Sequence, residues 1–143
     1  MLKKRIVVIF LAMCLVLSTL PSALGATASS SSSSVYISAL YVGASGETPN
    51  QEYVKITNKG TTSVNLKGWK IKDKDAKHTY TFSSYTLKSK STVTLRSGSG
   101  KNSGSTLYWN KYSFIWNNHD SKNNGDTAYL YNTQGKLVSS RNG

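Results

Sequence analysis

From residue 35 onwards, apolar and polar residues alternate in short segments that are separated by turn residues. In the segment 52–57, Val54 and Ile56 fall on one side, because successive side chains of a β-strand point to opposite faces. Four further segments alternate in the same way: Trp69–Lys72, Thr79–Phe82, Val93–Arg96 and Thr127–Tyr131. No stretch shows the spacing of an amphipathic helix. The chain is therefore predicted to be all-β and to form an antiparallel sandwich or barrel.

The first and the last predicted strands differ from this regular pattern. The first predicted strand, 35–42, is apolar at both parities, which leaves open the side that faces the core. At the other end, a turn at 132–135 is predicted to join the strand 127–131 to a last short strand at 136–139. A four-residue turn between two such segments is typical of a β-hairpin.

The first 28 residues have the order of a secretory signal peptide. Three cations at positions 3–5 precede a run of 12 apolar residues, and small residues follow. A run of 12 is short for an uncleaved anchor, since a bilayer span needs about 20 apolar residues. Cleavage after Ala28 fits best, and cleavage after Gly25 is an alternative. We expect a serine linker at 29–34 and a folded domain at 35–143, secreted or held at the cell surface with no transmembrane segment after cleavage.

The exported part of the chain is strongly basic. The whole sequence has 18 Lys and Arg against 6 Asp and Glu, a net charge of +12, and removing the three leader cations leaves +9. Such a charge favours polyanionic partners, such as anionic glycans, teichoic-type polymers, phospholipid surfaces or nucleic acid. The single cysteine, Cys14, lies in the leader. The mature chain is therefore predicted to have no disulfide, no cysteine zinc site and no catalytic thiol.

Three motifs point to one family. Residues 52–60 read Glu-Tyr-Val-Lys-Ile-Thr-Asn-Lys-Gly, residues 64–73 read Val-Asn-Leu-Lys-Gly-Trp-Lys-Ile-Lys-Asp, and residues 125–130 read Gly-Asp-Thr-Ala-Tyr-Leu. In this order they resemble the lamin tail domain family, an immunoglobulin-like β-sandwich also found on secreted bacterial and archaeal proteins. The resemblance covers residues 36–139. It implies the same sandwich fold for this chain.

The resemblance also implies a kind of function. Lys55 stands where the family often has an acidic residue, and 117–120 replaces a glycine-rich turn. Nothing resembles the coiled-coil rod of nuclear lamins, so their filament role does not transfer. Secreted relatives imply a non-catalytic module for binding or adhesion at the cell surface, to a polymer or a partner protein. Because related domains are often attached to nucleases, extracellular nucleic-acid binding through the basic face is the alternative.

Glycine and tryptophan positions have structural interpretations. Gly60 and Gly68 fall at predicted turns, where a positive φ is inexpensive only for glycine. Trp69 follows directly and is predicted to fill the centre of the core between the two sheets. Trp109 and Trp116 lie in the least regular stretch. They are expected to be core or loop anchors, with exposed stacking on sugars as the alternative.

The sequence offers little catalytic, metal or cofactor chemistry. The possible ligands Asp73, Asp75 and His78 lie among lysines, whose charge opposes a bound cation. His119 and Asp120 are adjacent and lack a third group to orient the imidazole. The segment 98–103 lacks both the first glycine and the Ser or Thr of a phosphate loop. We therefore predict that the protein is not an enzyme and has no metal or cofactor.

A basic and aromatic surface is the remaining candidate site. Five lysines lie between positions 67 and 77, and three of them alternate with Trp69, Ile71 and Asp73, which places these lysines on one outward face. Several tyrosines are also predicted to point outwards, where their rings could stack on sugars or bases. The predicted ligand-binding surface comprises Lys67, Lys70, Lys72, Lys74, Lys77, Tyr53, Tyr129 and Tyr131. The alternative is that the lysines keep the sheet soluble and protect its edges. The expected partner is a polyanionic or glycan polymer at the cell surface, or a protein, with nucleic acid as a further possibility.

Overall fold

The computed structural model describes residues 33–43, 46–116 and 125–143, which contain ten β-strands and no helix. The strands are β1 Val35–Tyr41, β2 Tyr53–Asn58, β3 Val64–Asn65, β4 Lys70–Lys72, β5 Thr79–Thr81, β6 Thr86–Leu87, β7 Thr92–Arg96, β8 Thr106–Tyr108, β9 Thr127–Tyr131 and β10 Leu137–Asn142. Within these ranges, no helix has the length and apolar character needed to cross a membrane. The predicted leader and the His119–Asp120 pair lie outside the described residues.

Two four-stranded sheets and one two-stranded sheet make up the domain. The first sheet has the order β1-β2-β7-β8 and the second has the order β10-β9-β4-β5, while β3 pairs with β6. All of these pairings are antiparallel except that of β7 with β8, which is parallel and places Leu95 opposite Leu107. This arrangement confirms the predicted all-β, immunoglobulin-like sandwich.

The core lies between the inner faces of the two large sheets. Val54 and Ile56 of β2 are fully buried, and so are Ile71 of β4 and Leu130 of β9, which pair with each other. These residues share one cluster, as the period-2 pattern predicts. Each fully buried aliphatic side chain of this kind contributes about 1.5–3 kcal/mol.

A β-bulge explains the ambiguous first strand. Val35 and Ile37 are buried, and the register of β1 against β2 shifts between Ile37 and Ala39. A bulge inserts one extra residue and reverses the parity of everything beyond it. Beyond the shift, Leu40 pairs with the buried Val54, and Tyr41 points outwards. The inward-facing residues are therefore odd-numbered before the bulge and even-numbered after it, which is why the strand is apolar at both parities.

The prediction for Trp69 was wrong. Its ring is only partly buried against the core, whereas Trp116 is 1% exposed and Trp109 is 9% exposed. The two buried rings lie 6.0 Å apart, edge to face, and Trp109 also meets the ring of Tyr80 at 5.5 Å. Trp69 directly precedes β4, at the end of the sheet, which limits the surface it can bury. Burial also excludes exposed sugar stacking by Trp109 and Trp116.

The two predicted turn glycines differ in their roles. Gly68 has a φ of 80°, which confirms the prediction that this turn requires glycine. Gly60 does not have a positive φ, so its prediction was wrong. A Cβ added at Gly60 would lie 2.8 Å from the Cβ of Ser34, closer than such atoms approach. Glycine is needed there for space.

The predicted last hairpin is confirmed, with a longer final strand. The Lys136 carbonyl accepts a hydrogen bond from the Asn132 N–H at 3.0 Å, and the Asn132 side chain accepts from the N–H groups of Gln134 and Lys136. β10 runs to Asn142, three residues past the predicted end.

Candidate functional site

The outer face of the second sheet carries four of the predicted site residues. Because Ile71, Ala128 and Leu130 point into the core, their neighbours on β4 and β9 point outwards. The register places Lys70 opposite Tyr131 and Lys72 opposite Tyr129. These residues form the lysine–tyrosine face: Lys70, Lys72, Tyr129 and Tyr131.

The lysine–tyrosine face is a contiguous patch in which charge and ring are in contact. Lys72 reaches diagonally across the sheet, and its Nζ lies 5.3 Å from the centroid of the Tyr131 ring. A cation over a tyrosine ring at this distance gains about 0.5–1 kcal/mol at an exposed site. This contact holds the ammonium group close to the sheet.

Three further predicted lysines flank this face at its two ends. Lys67 precedes Gly68, where an added Cβ would lie 3.2 Å from Thr133 in the β9–β10 turn. Lys74 and Lys77 lie at the opposite end, in the turn that joins β4 to β5, and Lys77 pairs with Asp75 at 3.4 Å. All three lysines are exposed. The basic surface therefore extends beyond both ends of β4.

The β4–β5 turn is held by Asp73 and His78. The Asp73 carboxylate accepts a hydrogen bond from the His78 backbone N–H at 3.1 Å, and His78 Nδ1 lies 2.8 Å from Asp73 Oδ2. Asp75 turns away to Lys77. Across the described parts of the chain, no three His, Cys, Asp or Glu side chains come together in a way that could hold a metal ion. The hydrogen bonds of Asp73 therefore fix the β4–β5 turn, which carries Lys74 and Lys77.

Tyr53 does not belong to the lysine–tyrosine face. It lies on β2, in the first sheet, and points outwards from the opposite side of the sandwich. Its ring stacks on Tyr41 with centroids 5.4 Å apart. The sequence could not separate Tyr53 from the other tyrosines, because alternation within a strand does not say to which sheet that strand belongs.

The distribution of charge between interior and surface makes the domain more basic outside than its composition suggests. Three of the five described carboxylates are buried, at 0–5% exposure: Glu52, Asp73 and Asp126. Every described lysine and arginine is exposed or partly exposed. The basic side chains at the surface therefore have few carboxylates beside them.

Glu52 is a fully buried ionisable residue that is not among the predicted site residues. Burial raises its pKa to about 7, although the Ile115 N–H donates to Oε2 at 2.9 Å and so lowers it in part. The Ser97 hydroxyl is near enough to lower this pKa as well, yet neither its Oγ nor Glu52 Oε1 has a well-aligned partner among the described residues. A usable signal existed, since Glu52 shares the parity of Val54 and Ile56.

Comparison with known proteins yields one finding. The lamin tail domain family model matches residues 28–142, which is most of the chain. No curated protein matches it. The three motifs and the observed sandwich agree with this match. The chain therefore belongs to the lamin tail domain family.

Proposed function

We propose that this lamin tail domain is a non-catalytic, exported module that binds an anionic glycan polymer at the cell surface. The binding site is the lysine–tyrosine face. The observation that carries the proposal is the register of β4 and β9, which sets Lys70 and Lys72 beside Tyr131 and Tyr129 on one open face.

The electrostatics of the domain support an anionic ligand. The strand lysines share one face, and the exposed Lys67 and Lys74 lie just before and just after β4, while most described carboxylates lie in the interior. Surface charges of one sign attract a polyanion over a Debye length of about 10 Å at 0.1 M salt. A polymer gains from this arrangement because several of its charges can bind along the same face.

The shape of the site favours a polymer over a small molecule. The lysine–tyrosine face is the outer side of a sheet, so it offers a flat strip with cations at both ends of β4. Small-molecule sites are concave and cover most of their ligand. A flat strip of charge instead suits an extended chain that carries one anionic group after another.

The contact between Lys72 and Tyr131 favours a glycan over nucleic acid. Single strands of nucleic acid bind by stacking their bases on free aromatic faces. Here one face of the Tyr131 ring is already covered by the Lys72 ammonium group. A ligand bound through charge and hydroxyl groups makes better use of this arrangement.

A charge-reversal variant tests the proposal. Lys70→Glu with Lys72→Glu should lower the affinity for heparin at low salt by at least tenfold. The matched control, Lys88→Glu with Lys101→Glu, changes the net charge equally at two exposed lysines outside this face and should lower it less than threefold. The control should unfold within about 0.5 kcal/mol of the parent, because exposed substitutions cost little. The Lys70 and Lys72 variant should unfold within about 1.5 kcal/mol, because it also loses the contact of Lys72 with the Tyr131 ring.

The parallel measurements identify the ligand class. Neutral dextran should not bind the parent. If the Lys70 and Lys72 variant binds heparin as the parent does, the proposal is wrong. If the variant loses affinity for a single-stranded DNA oligonucleotide but keeps its affinity for heparin, the face is a nucleic-acid site and the glycan proposal is also wrong.

Export has its own test. Mass spectrometry of the secreted protein should find an N-terminus between Ala26 and Ser29, since small residues there suit a signal peptidase. A secreted product that still begins at Met1 would contradict the predicted leader.

A further inference from the structure

The first sheet carries a second basic and aromatic surface on its outer side. One row of side chains crosses all four strands: Tyr41 pairs with Tyr53, Tyr53 with Arg96, and Arg96 with Tyr108. Lys55 lies two residues along β2 on the same side. We call the set Tyr41, Tyr53, Lys55, Arg96 and Tyr108 the second face.

The cations of the second face are held in place around one ring. Lys55 Nζ lies 5.2 Å from the centroid of Tyr53, and the Arg96 guanidinium lies 5.9 Å from it. Arg96 Nη1 donates to the Asn50 carbonyl at 2.7 Å. This bond uses one of the five N–H donors of the guanidinium group. An arginine fixed in this way loses less conformational entropy when its other donors bind an anion.

Charge complementarity identifies the ligand of the second face. The carboxylate near this row, Glu47, accepts the Tyr41 hydroxyl at 2.9 Å, and that bond raises the pKa of Tyr41. Because Lys55 and Arg96 outnumber this one carboxylate, the row has a net positive charge. The Tyr53 ring is in contact with Tyr41 as well as both cations, so little of it is free to stack on a base. The row therefore suits an anionic glycan.

The two faces point in opposite directions. The inner sides of both sheets contribute to one buried cluster, so their outer sides face away from each other. Packed sheets lie about 10 Å apart. That spacing is about one Debye length at 0.1 M salt. Anionic chains on the two outer sides would therefore repel each other only weakly.

We propose that the domain bridges two anionic polymer chains, one on the lysine–tyrosine face and one on the second face. This inference rests on the proposed function for the first chain and adds an independent site for the second. The activity it adds is non-covalent cross-linking of a surface glycan. No bond is made or broken.

Two experiments with heparin test the inference, one that counts binding sites and one that detects cross-linking. Calorimetry with a heparin hexasaccharide should find two sites per domain in the parent, and long heparin should give a turbid network that clears when heparin is in excess. Lys70→Glu with Lys72→Glu should leave one site and abolish turbidity, and Lys55→Glu with Arg96→Gln should do the same. The control Lys88→Glu, at an exposed lysine outside both faces, should keep two sites and remain turbid.

The outcomes separate the two proposals. If the Lys55 and Arg96 variant keeps two sites and turbidity, the second face is wrong and the proposed function stands. If the Lys70 and Lys72 variant keeps them, the proposed function is wrong and no bridging follows. Should the Arg96 substitution unfold the domain, Lys55→Glu alone leaves the hydrogen bond from Arg96 to the Asn50 carbonyl intact and should still weaken the second site at least fivefold. An unchanged second site in that variant overturns the inference.

Discussion

The strand β2 and the segment 109–116 both supply core residues, but they do so by different means. In β2, burial alternates strictly, with Val54 and Ile56 inside and their neighbours partly exposed. In the segment 109–116, Trp109, Ile115 and Trp116 are buried around five exposed residues with no regular period. Periodic segments bury many medium side chains, whereas an aperiodic segment contributes through a few large ones. Each large buried side chain of the segment 109–116 should therefore contribute more to the free energy of unfolding than a single aliphatic side chain of β2.

The largest expected effect is at Trp116. Trp116→Ala should lower the free energy of unfolding by about 3–5 kcal/mol, because it removes a fully buried indole and leaves a cavity. Trp69→Ala is the matched control, an indole that is only partly buried beside a regular strand, and it should cost about 1–2 kcal/mol. Urea unfolding followed by circular dichroism measures both values. Equal losses would remove the distinction between the two regions.

The second prediction concerns Glu52, where β2 and the segment 109–116 meet. The Ile115 N–H donates to its carboxylate, and burial raises its pKa in the folded state to about 7. The folded state therefore binds more protons than the unfolded state between about pH 4.5 and 7, and stability falls as the pH rises through this window. The contribution is present in full below about pH 4.5 and is lost above about pH 7.

Glu52→Gln removes this titration and keeps an acceptor for the Ile115 N–H. Its stability relative to the parent should rise by about 3 kcal/mol between pH 4.5 and pH 8, since one pKa unit corresponds to about 1.4 kcal/mol. Urea unfolding at several pH values measures the difference. As a comparison, Asp75→Asn, at an exposed carboxylate, should change the free energy of unfolding by no more than about 0.5 kcal/mol. A pH-independent difference for Glu52→Gln would show that its carboxyl is not buried as described.

Sequence predicted the regular part of the molecule well, for a physical reason. Alternation assigned the inward sides of β2, β4, β7 and β9, because burial on one face of a strand repeats every two residues. It also placed Lys70, Lys72, Tyr129 and Tyr131 on outward sides, which the register then joined. The same alternation, extended two residues before Val54, also predicts that Glu52 is buried.

What sequence could not predict depends on contacts between distant segments. No local pattern marks Trp116 as more buried than Trp69, because the segment 109–116 has no period. Nor does alternation tell which strands share a sheet, so Tyr53 was grouped with residues from the opposite side. The space required at Gly60 depends on Ser34, which lies far along the chain. These features follow from tertiary packing.

The smallest expected effect lies within the aperiodic segment itself. Tyr112 is 94% exposed although it is only four residues from Trp116. Tyr112→Ser should therefore change the free energy of unfolding by no more than about 0.5 kcal/mol, because the ring loses almost no contact with water on folding. Thermal unfolding alongside Trp116→Ala provides the measurement. A loss above about 2 kcal/mol would mean that the whole segment stabilises the core together, and that burial of single side chains does not explain how it differs from β2.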